Sequence, residues 1–242
     1  DCHLPVSFFQ RSAWAVRKTS PNLLAKINEW QKTKKYKNFS KVLYEKYFQR
    51  NKLLSSKIVY IPQGKNISRY DDIFKKNAKS LNWDWRLLAS LVYHESEFKS
   101  KSIAWSGATG LMQLMPETAE RMGLDSTEIL DPEKNVHAGV RYLKKISRSF
   151  RQIKDEEEKV KFVLAAYNVG LGHVFDARAL AEKYGKDKDV WTNNVEIFIK
   201  LKSEPKFYND PVCNSGYCRG EETYQYVRDI LARYKRYVDV GK

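Results

Sequence analysis

Methionine, cysteine and histidine are scarce, at 3, 3 and 4 of 242 residues, and each shortage weakens a class of chemistry. Three cysteines, Cys2, Cys213 and Cys218, are too few for a disulfide framework. A C-x4-C spacing with no companion pair and no clustered histidine is a weak zinc signature. The histidines, His3, His94, His137 and His173, are scattered. His94-Glu95 begins a zincin-like string, but no histidine follows at the fourth position, so neither a metal nor a cofactor is expected. No stretch approaches the roughly 18 consecutive apolar residues of a membrane span. The opening DCHLPVSFFQ has neither an initiating methionine nor the basic start of a signal peptide, so the numbering is read as beginning inside a longer or processed polypeptide. Strand-like alternation is scarce after residue 68, and there is no internal repeat or low-complexity tract.

Acidic residues are outnumbered 29 to 44, for a formal charge of +15. Such an excess suits an acidic partner: nucleic acid, anionic lipid or bacterial cell wall. The alternative is a merely well-solvated surface. The basic residues are dispersed, as at Lys32, Lys34, Lys35 and Lys37 and again at Arg233, Lys235 and Arg236, and no nucleic-acid motif accompanies them, so nucleic acid is not expected as a partner. Aromatic residues make up 13%, with 15 Tyr and 6 Trp, enough for sugar stacking as well as core packing. With 42% hydrophobic content, the chain can bury one substantial core and a smaller second unit.

Residues 1–53 read as one unit. An extended run around SAWAVRK is followed by a helix from SPNLLAKINEW, where Ser20 can cap and Pro21 takes the first helical position. A second helix, FSKVLYEKYFQRN, ends it. Residues 54–68, with Pro62, Gly64 and Asn66, read as a linker. From Ser68 onward the pattern is helical, opened by the capping-box-like Ser68-Arg69-Tyr70-Asp71. Helices are expected over 69–81, 85–97, 116–122, 133–149, 157–168, 175–184, 190–199 and 221–237. Pro116 and Pro132 sit where helix starts tolerate proline, and Gly123 and Gly170 where helix ends favour glycine.

Within the helix over 85–97, Asp84 can cap, and Leu88, Leu91 and Val92 recur at the spacing of a buried stripe. Glu95 follows Leu91 by four residues and Val92 by three, so it shares that stripe. Glu97 is turned about 200° away by the roughly 3.6-residue period. Only Glu95 is therefore expected to lose water, and a carboxyl in apolar surroundings has a raised pKa and stays protonated near neutrality, as a general acid must. The plainer alternative is a glutamate at the rim of the stripe or paired with a cation.

Three further segments decide between these readings. In Gly107-Ala108-Thr109-Gly110-Leu111-Met112-Gln113, two glycines permit a tight loop against a ligand, and Gln113 offers both a donor and an acceptor. Ala165-Ala166-Tyr167-Asn168-Val169-Gly170 closes a helix, and Glu222-Thr223-Tyr224-Gln225-Tyr226-Val227 lies near the end of the chain. Taken in order as Glu-Ser, Gly-Leu-Met-Gln, Ala-Tyr-Asn and Glu-Thr-x-x-Tyr-Val, with DPEKNVHAGVRYL at 131–143 between them, these segments resemble the soluble lytic transglycosylase family of peptidoglycan-cleaving enzymes. AAYNVGLGHVFDARAL at 165–180 and LKSEPKFY at 201–208 resemble a membrane-bound branch of it, in which a periplasmic solute-binding-like domain precedes the catalytic one.

The resemblance implies a mainly α fold: a lysozyme-like, goose-type or transglycosylase helical domain at 69–242, preceded by a small α/β remnant of a solute-binding-like domain at 1–53, to which no site is assigned. It implies that Glu95 is the catalytic acid and then base, with Gln113, Met112, Tyr167, Asn168 and Tyr226 lining a sugar cleft. The alternative for Met112 and Tyr167 is ordinary helix packing, Ser96 is read as stabilising the loop, and Glu222 suits surface or cleft alike. The implied partner is peptidoglycan, in the periplasm, with lipid-anchored association to the inner face of the outer membrane through parts outside this chain. One position departs from the pattern: where many members have serine nine residues after the glutamate, this chain has Ala104, leaving Ser102 or Ser106 to supply the hydroxyl.

Ordinary glycosidases use two carboxylates, and between Glu95 and Gln113 the only other acid is Glu97. One acid suffices if the substrate supplies its own nucleophile, as in non-hydrolytic cleavage that leaves a 1,6-anhydromuramic end. The rival readings are a goose-type lysozyme-like hydrolase and an inactive wall-binding module. For a protein of an oxidising compartment, Cys213 and Cys218 around a turn are expected to pair as a disulfide, against the alternative of two unpaired small residues.

Overall fold

The computed structural model describes residues 17–33 and 66–240, and the chain divides into two units at Ile58 and Val59. In the first unit the described element is α1, Pro21–Lys32, with proline in its first turn as expected. Ser20 makes no side-chain cap bond, and no residue of α1 is buried. The second helix and most of the linker expected before residue 66 lie outside the described residues, as does Cys2.

Among its described residues the regular structure of the second unit is helical, with isolated bridges pairing Ile103 with Thr109 and Thr109 with Leu114 in the loop after the second of its helices. Helix α2 is Asp71–Ala78, continued by a 3-10 turn at Lys79–Leu81. It starts two residues later than the pattern suggests because Asp71 is the reciprocal arm of the cap. Its carboxylate accepts the amides of Ile67 and Ser68, both at 2.8 Å, while Ser68 Oγ accepts the amide of Tyr70 at 3.0 Å. Helix α3, Trp85–Ser96, opens on Asp84, whose Oδ1 accepts the Arg86 amide at 2.9 Å. Helix α4 is Pro116–Arg121 and α5 is Pro132–Arg148, capped by Asp131. Helix α6, Glu156–Val169, is capped by Asp155.

Helix α7, Leu171–Lys183, begins four residues before the expected start. Gly170, at φ 93°, turns the chain in a single residue, so no loop separates α6 from α7. The segment Trp191–Val195 is kinked at Thr192 and Asn193 before α8, Glu196–Leu201. The single turn Pro205–Tyr208, α9, is too short to show a period. Helix α10, Gly220–Val240, packs on α3, α6 and α8; α2 packs on α3 and α5; and α6 packs on α5 and α7. Leu88, Leu91, Val92, Leu111, Met112, Leu143, Ile146, Phe162, Leu164 and Ile230 have no exposed surface, so one continuous apolar core holds the ends of α3, α6 and α10 together.

Cys213 and Cys218 are free thiols, so the expected disulfide does not form. Cys213 Sγ donates to the Phe207 carbonyl at 3.3 Å, and burial pushes the Cys218 thiol up to about 11 and raises Cys213 as well. Both groups remain protonated, and the thiolate is the form that reacts. The turn between them is held instead by Asp176 of α7, whose carboxylate accepts the amides of Asn214 and Ser215, each at 2.9 Å, and pairs with the fully buried Lys202. Burial raises the Asp176 carboxyl, but the two amides and Lys202 outweigh it and hold the group below its ordinary range. Lys202→Met should therefore strand a buried carboxylate and cost about 3–5 kcal/mol. Urea unfolding of the variant tests this; a loss under about 1 kcal/mol would show that the two amides alone hold Asp176.

Candidate active site

Glu95 lies in the last turn of α3, partly exposed, with the stripe of Leu88, Leu91 and Val92 buried beside it. The helix stops at Ser96 because Glu97 and Phe98 both take left-handed backbone, at φ 52° and 61°. That turn sends Glu97 outward, where Lys99 pairs with it at 2.7 Å. Ser96 Oγ donates back to the Val92 carbonyl at 3.2 Å, so it finishes the helix.

Two tyrosines frame the glutamate. Tyr226 of α10 is buried, and its phenol donates to Glu95 Oε1. Tyr167 of α6 donates to the Met112 carbonyl at 2.7 Å. Burial, and then the charge of Glu95, hold both phenols well above their ordinary range, so both are neutral donors. For Glu95 itself burial is the larger effect and raises its carboxyl; the Tyr226 bond opposes it, leaving the group at about 7. Among the described residues, no neighbouring acid contributes to that shift. Under Tyr226 lies His94, edge-on at 4.7 Å between ring centroids, with its pKa lowered to about 4 by burial and by Arg233, and therefore neutral.

The loop after α3 joins the site through the Met112 carbonyl that Tyr167 holds. Gln113, at φ 47°, spends its amide nitrogen inside the loop, donating to Gly110 O at 2.8 Å and Ser102 O at 3.1 Å. Only its oxygen is left to accept from a ligand. Met112 contributes its backbone, since its side chain has no exposed surface and rests where Gly139 of α5 has no Cβ. Asn168 is exposed, and its Oδ1 accepts from Thr223 Oγ1 at 2.8 Å, which leaves its amide NH2 available. Glu222 is on the surface, near Arg219. Ala104 sits in the turn of the loop, its amide bonded to Ala108 O at 2.8 Å.

The sequence patterns did not single out Asn135, which has no exposed surface. Its Oδ1 accepts the Met112 amide at 2.8 Å, and its Nδ2 donates to Ile129 O at 2.8 Å and Thr109 O at 3.1 Å. A Cβ on Gly110, at φ 82°, would come within 2.3 Å of that nitrogen. The available signal was one polar residue among Val136, Gly139 and Val140 on a buried helix face. His94 and Thr223, quoted within their motifs, and Tyr142, whose ring lies 5.5 Å from that of Tyr167, were likewise given no role in the site. Among the described residues, no group of three or more histidine, cysteine or acidic side chains is placed to hold a metal.

A protonated carboxyl near neutrality, backed by two neutral phenols and faced by amide groups, is the equipment of a general acid acting on a polar, uncharged ligand. Residues 72–191 are a transglycosylase SLT domain, which places that part of the chain in the SLT family. The chain is similar to curated proteins called membrane-bound lytic murein transglycosylase F. That of Desulfosudis oleivorans is 33% identical over 95% of this chain and 50% of its own length. That of Maricaulis maris is 39% identical over 68% of this chain and 35% of its own. The chain thus spans at most about half of these relatives. The 70 kDa soluble lytic transglycosylase of Escherichia coli aligns over 69% of this chain and 24% of its own, at 25% identity and a TM-score of 0.48.

Two outcomes follow from this geometry. Asn135→Ala should cost about 3 kcal/mol, roughly 1 kcal/mol for each buried bond lost, and should loosen the 107–114 loop; urea unfolding together with amide exchange at Met112 reads both. The second concerns acidity. The folded pKa of Glu95, about 7, lies above its ordinary 4.5, so its contribution favours the fold below pH 4.5 and is lost as pH rises through 7, by up to about 3 kcal/mol. Glu95→Gln should raise the melting temperature by several degrees at pH 8 and by little at pH 4. A gain of equal size at both values would show that its carboxyl is not desolvated.

Proposed function

We propose that this protein cleaves the glycosidic bond between N-acetylmuramic acid and N-acetylglucosamine in bacterial peptidoglycan without consuming water, leaving 1,6-anhydromuramic ends. The observation that carries this reading is the single carboxyl of Glu95, held at about 7 by burial with no second acid among the described residues contributing. A two-carboxylate glycosidase places its second acid within about 10 Å, where a like charge raises the first further.

In the proposed reaction Glu95 donates its proton to the bridging oxygen as the bond from C1 breaks. The carboxylate so formed takes the proton of the muramic C6 hydroxyl, and O6 closes on C1. The proton count balances, and Glu95 ends as it began. A pKa near 7 suits both halves, since the acid must be protonated at the start and the carboxylate must be basic enough to finish. Tyr226 occupies Oε1, and Oε2 has no partner among the described residues, which supports its use toward substrate. The Gln113 oxygen and the Asn168 amide supply one acceptor and one donor for sugar hydroxyl and acetamido groups, with Tyr167 fixing the Met112 backbone between them.

The net charge of +15 suits the carboxylates of the peptide stems. The same reading puts the protein in the periplasm, with 1–53 as the tail of a solute-binding-like domain, 54–68 as linker, and attachment to the outer membrane through segments outside this chain. No described helix is long and apolar enough to cross a membrane.

Purified murein incubated with the protein should release muropeptides one water lighter than those of a lysozyme, at a rate falling about tenfold per pH unit above 7. Glu95→Gln should release none while remaining folded, and Glu97→Gln should keep most activity. Reducing ends in place of anhydro ends would mean that water, not the C6 hydroxyl, attacks.

A further inference from the structure

Trp105 is 99% exposed, on the loop whose Met112 carbonyl is held by Tyr167, the phenol that feels the charge of Glu95. A tryptophan left wholly in water on a tightly bonded loop calls for an explanation, because its large flat face usually finds cover. The loop is pinned throughout: Ala104 N bonds to Ala108 O at 2.8 Å, Gly107 N to Ala104 O at 2.9 Å, Gly110 N to Ser102 O at 2.9 Å, and Thr109 Oγ1 to Gly107 O at 2.9 Å. Gln113 closes its base with two more bonds. The ring is therefore presented from a built frame.

That frame ties the ring to the cleft. Thr109 pairs with both Ile103 and Leu114, so it alone stands between Ile103 and the residue that follows Gln113. Trp105 is two residues further, at most roughly 7 Å of chain. We infer that Trp105 is a stacking platform for a saccharide ring, gripping the glycan strand beyond the bond that is cut. The inference rests on the cleavage proposed above and adds a specificity-determining residue to it. Ile103, 64% exposed, widens the apolar surface on one side, while Ser106 and Gly107 follow on the other. A sugar has this mixed character, with an apolar ring face edged by hydroxyls. A tip that enters lipid needs apolar residues on both sides, and this one has serine and glycine.

The test uses tryptophan fluorescence with chitohexaose, an oligomer of N-acetylglucosamine, and cleavage of solubilised glycan strands, for the full chain and for Trp105→Ala and Trp105→Phe. The ring contacts no core residue, so both variants should melt with the parent. Chitohexaose should quench or blue-shift the parent and not Trp105→Ala. Trp105→Ala should need a roughly 2- to 10-fold higher glycan concentration for half-maximal rate, with the loss in KM and not in kcat, and Trp105→Phe should recover most of it. If the parent cleaves murein but Trp105→Ala matches it in KM and in hexamer response, the stacking role is overturned and the cleavage reading survives. If the parent binds the hexamer through Trp105 but leaves murein intact, only the cleavage reading falls. A Trp105 signal that answers phosphatidylglycerol vesicles and not chitohexaose assigns the ring to lipid and overturns the inference.

Discussion

The bond from Tyr226 to Glu95 joins two elements 131 positions apart in the chain, and the arrangement of the site depends on it. Without α10 across its end, the last turn of α3 would leave Glu95 as an ordinary surface carboxylate. With α10 in place the group loses most of its water, yet gains only one donor. A carboxylate accepting two or three donors falls below its ordinary range, as Asp176 does here; a carboxyl with one donor in an apolar setting rises. The contrast between Glu95 and Asp176 lies in their partners, one phenol for the first and two amides with the Lys202 ammonium for the second. Asp176 is spent on holding a loop, and Glu95 stays protonated near neutrality.

The same economy of partners runs through the loop after α3. Tyr167, Asn135 and Gln113 each bond to backbone of the 102–114 loop, so much of their bonding capacity is spent on structure. What remains for a ligand is the unused half of each amide. Thr223 fixes the Asn168 amide by occupying its oxygen, and the loop fixes the Gln113 amide by occupying its nitrogen, which sets one as donor and the other as acceptor. Freezing polar groups before a ligand arrives avoids reorganisation during the reaction, and that is where such sites gain most.

Sequence periodicity went far for the helices and for Glu95 because both obey one short-range rule. The spacing of Leu88, Leu91 and Val92 put Glu95 on the buried face, and the structure places it there beside those residues. Glycine and proline marked several helix ends, at Pro21, Pro116, Pro132 and Gly170, for the same local reason. The start of α7 was missed because Gly170 turns the chain without any intervening loop, and a period of 3.6 carries no record of a one-residue turn. Cys213 and Cys218 were misjudged because proximity in sequence says nothing of where each thiol points; Cys213 faces the Phe207 carbonyl. Asn135 was overlooked because its partners, Thr109, Met112 and Ile129, are brought together only by folding. Burial faces are legible locally, whereas hydrogen-bond partners across helices are not.

Ala104 shows how a departure from a family pattern can be absorbed. Its side chain offers no hydroxyl, and the two neighbouring serines stand differently: the Ser102 carbonyl anchors the base of the loop, while Ser106 is exposed at its tip beside Trp105. Neither serine stands at position 104 itself. In the proposed cleavage the acetamido then has the Gln113 oxygen and the Asn168 amide to meet, and the fixed orientation of those two amides becomes more consequential. Asn135 then matters at one remove, because it fixes the Met112 backbone immediately before Gln113. A loop that presents one tryptophan outward and one amide inward can exchange binding surface between its two ends. If Trp105 stacks on sugar as inferred, contact that Ala104 does not offer would come from the ring one residue further out, as long as the bonds at the base keep both ends in register.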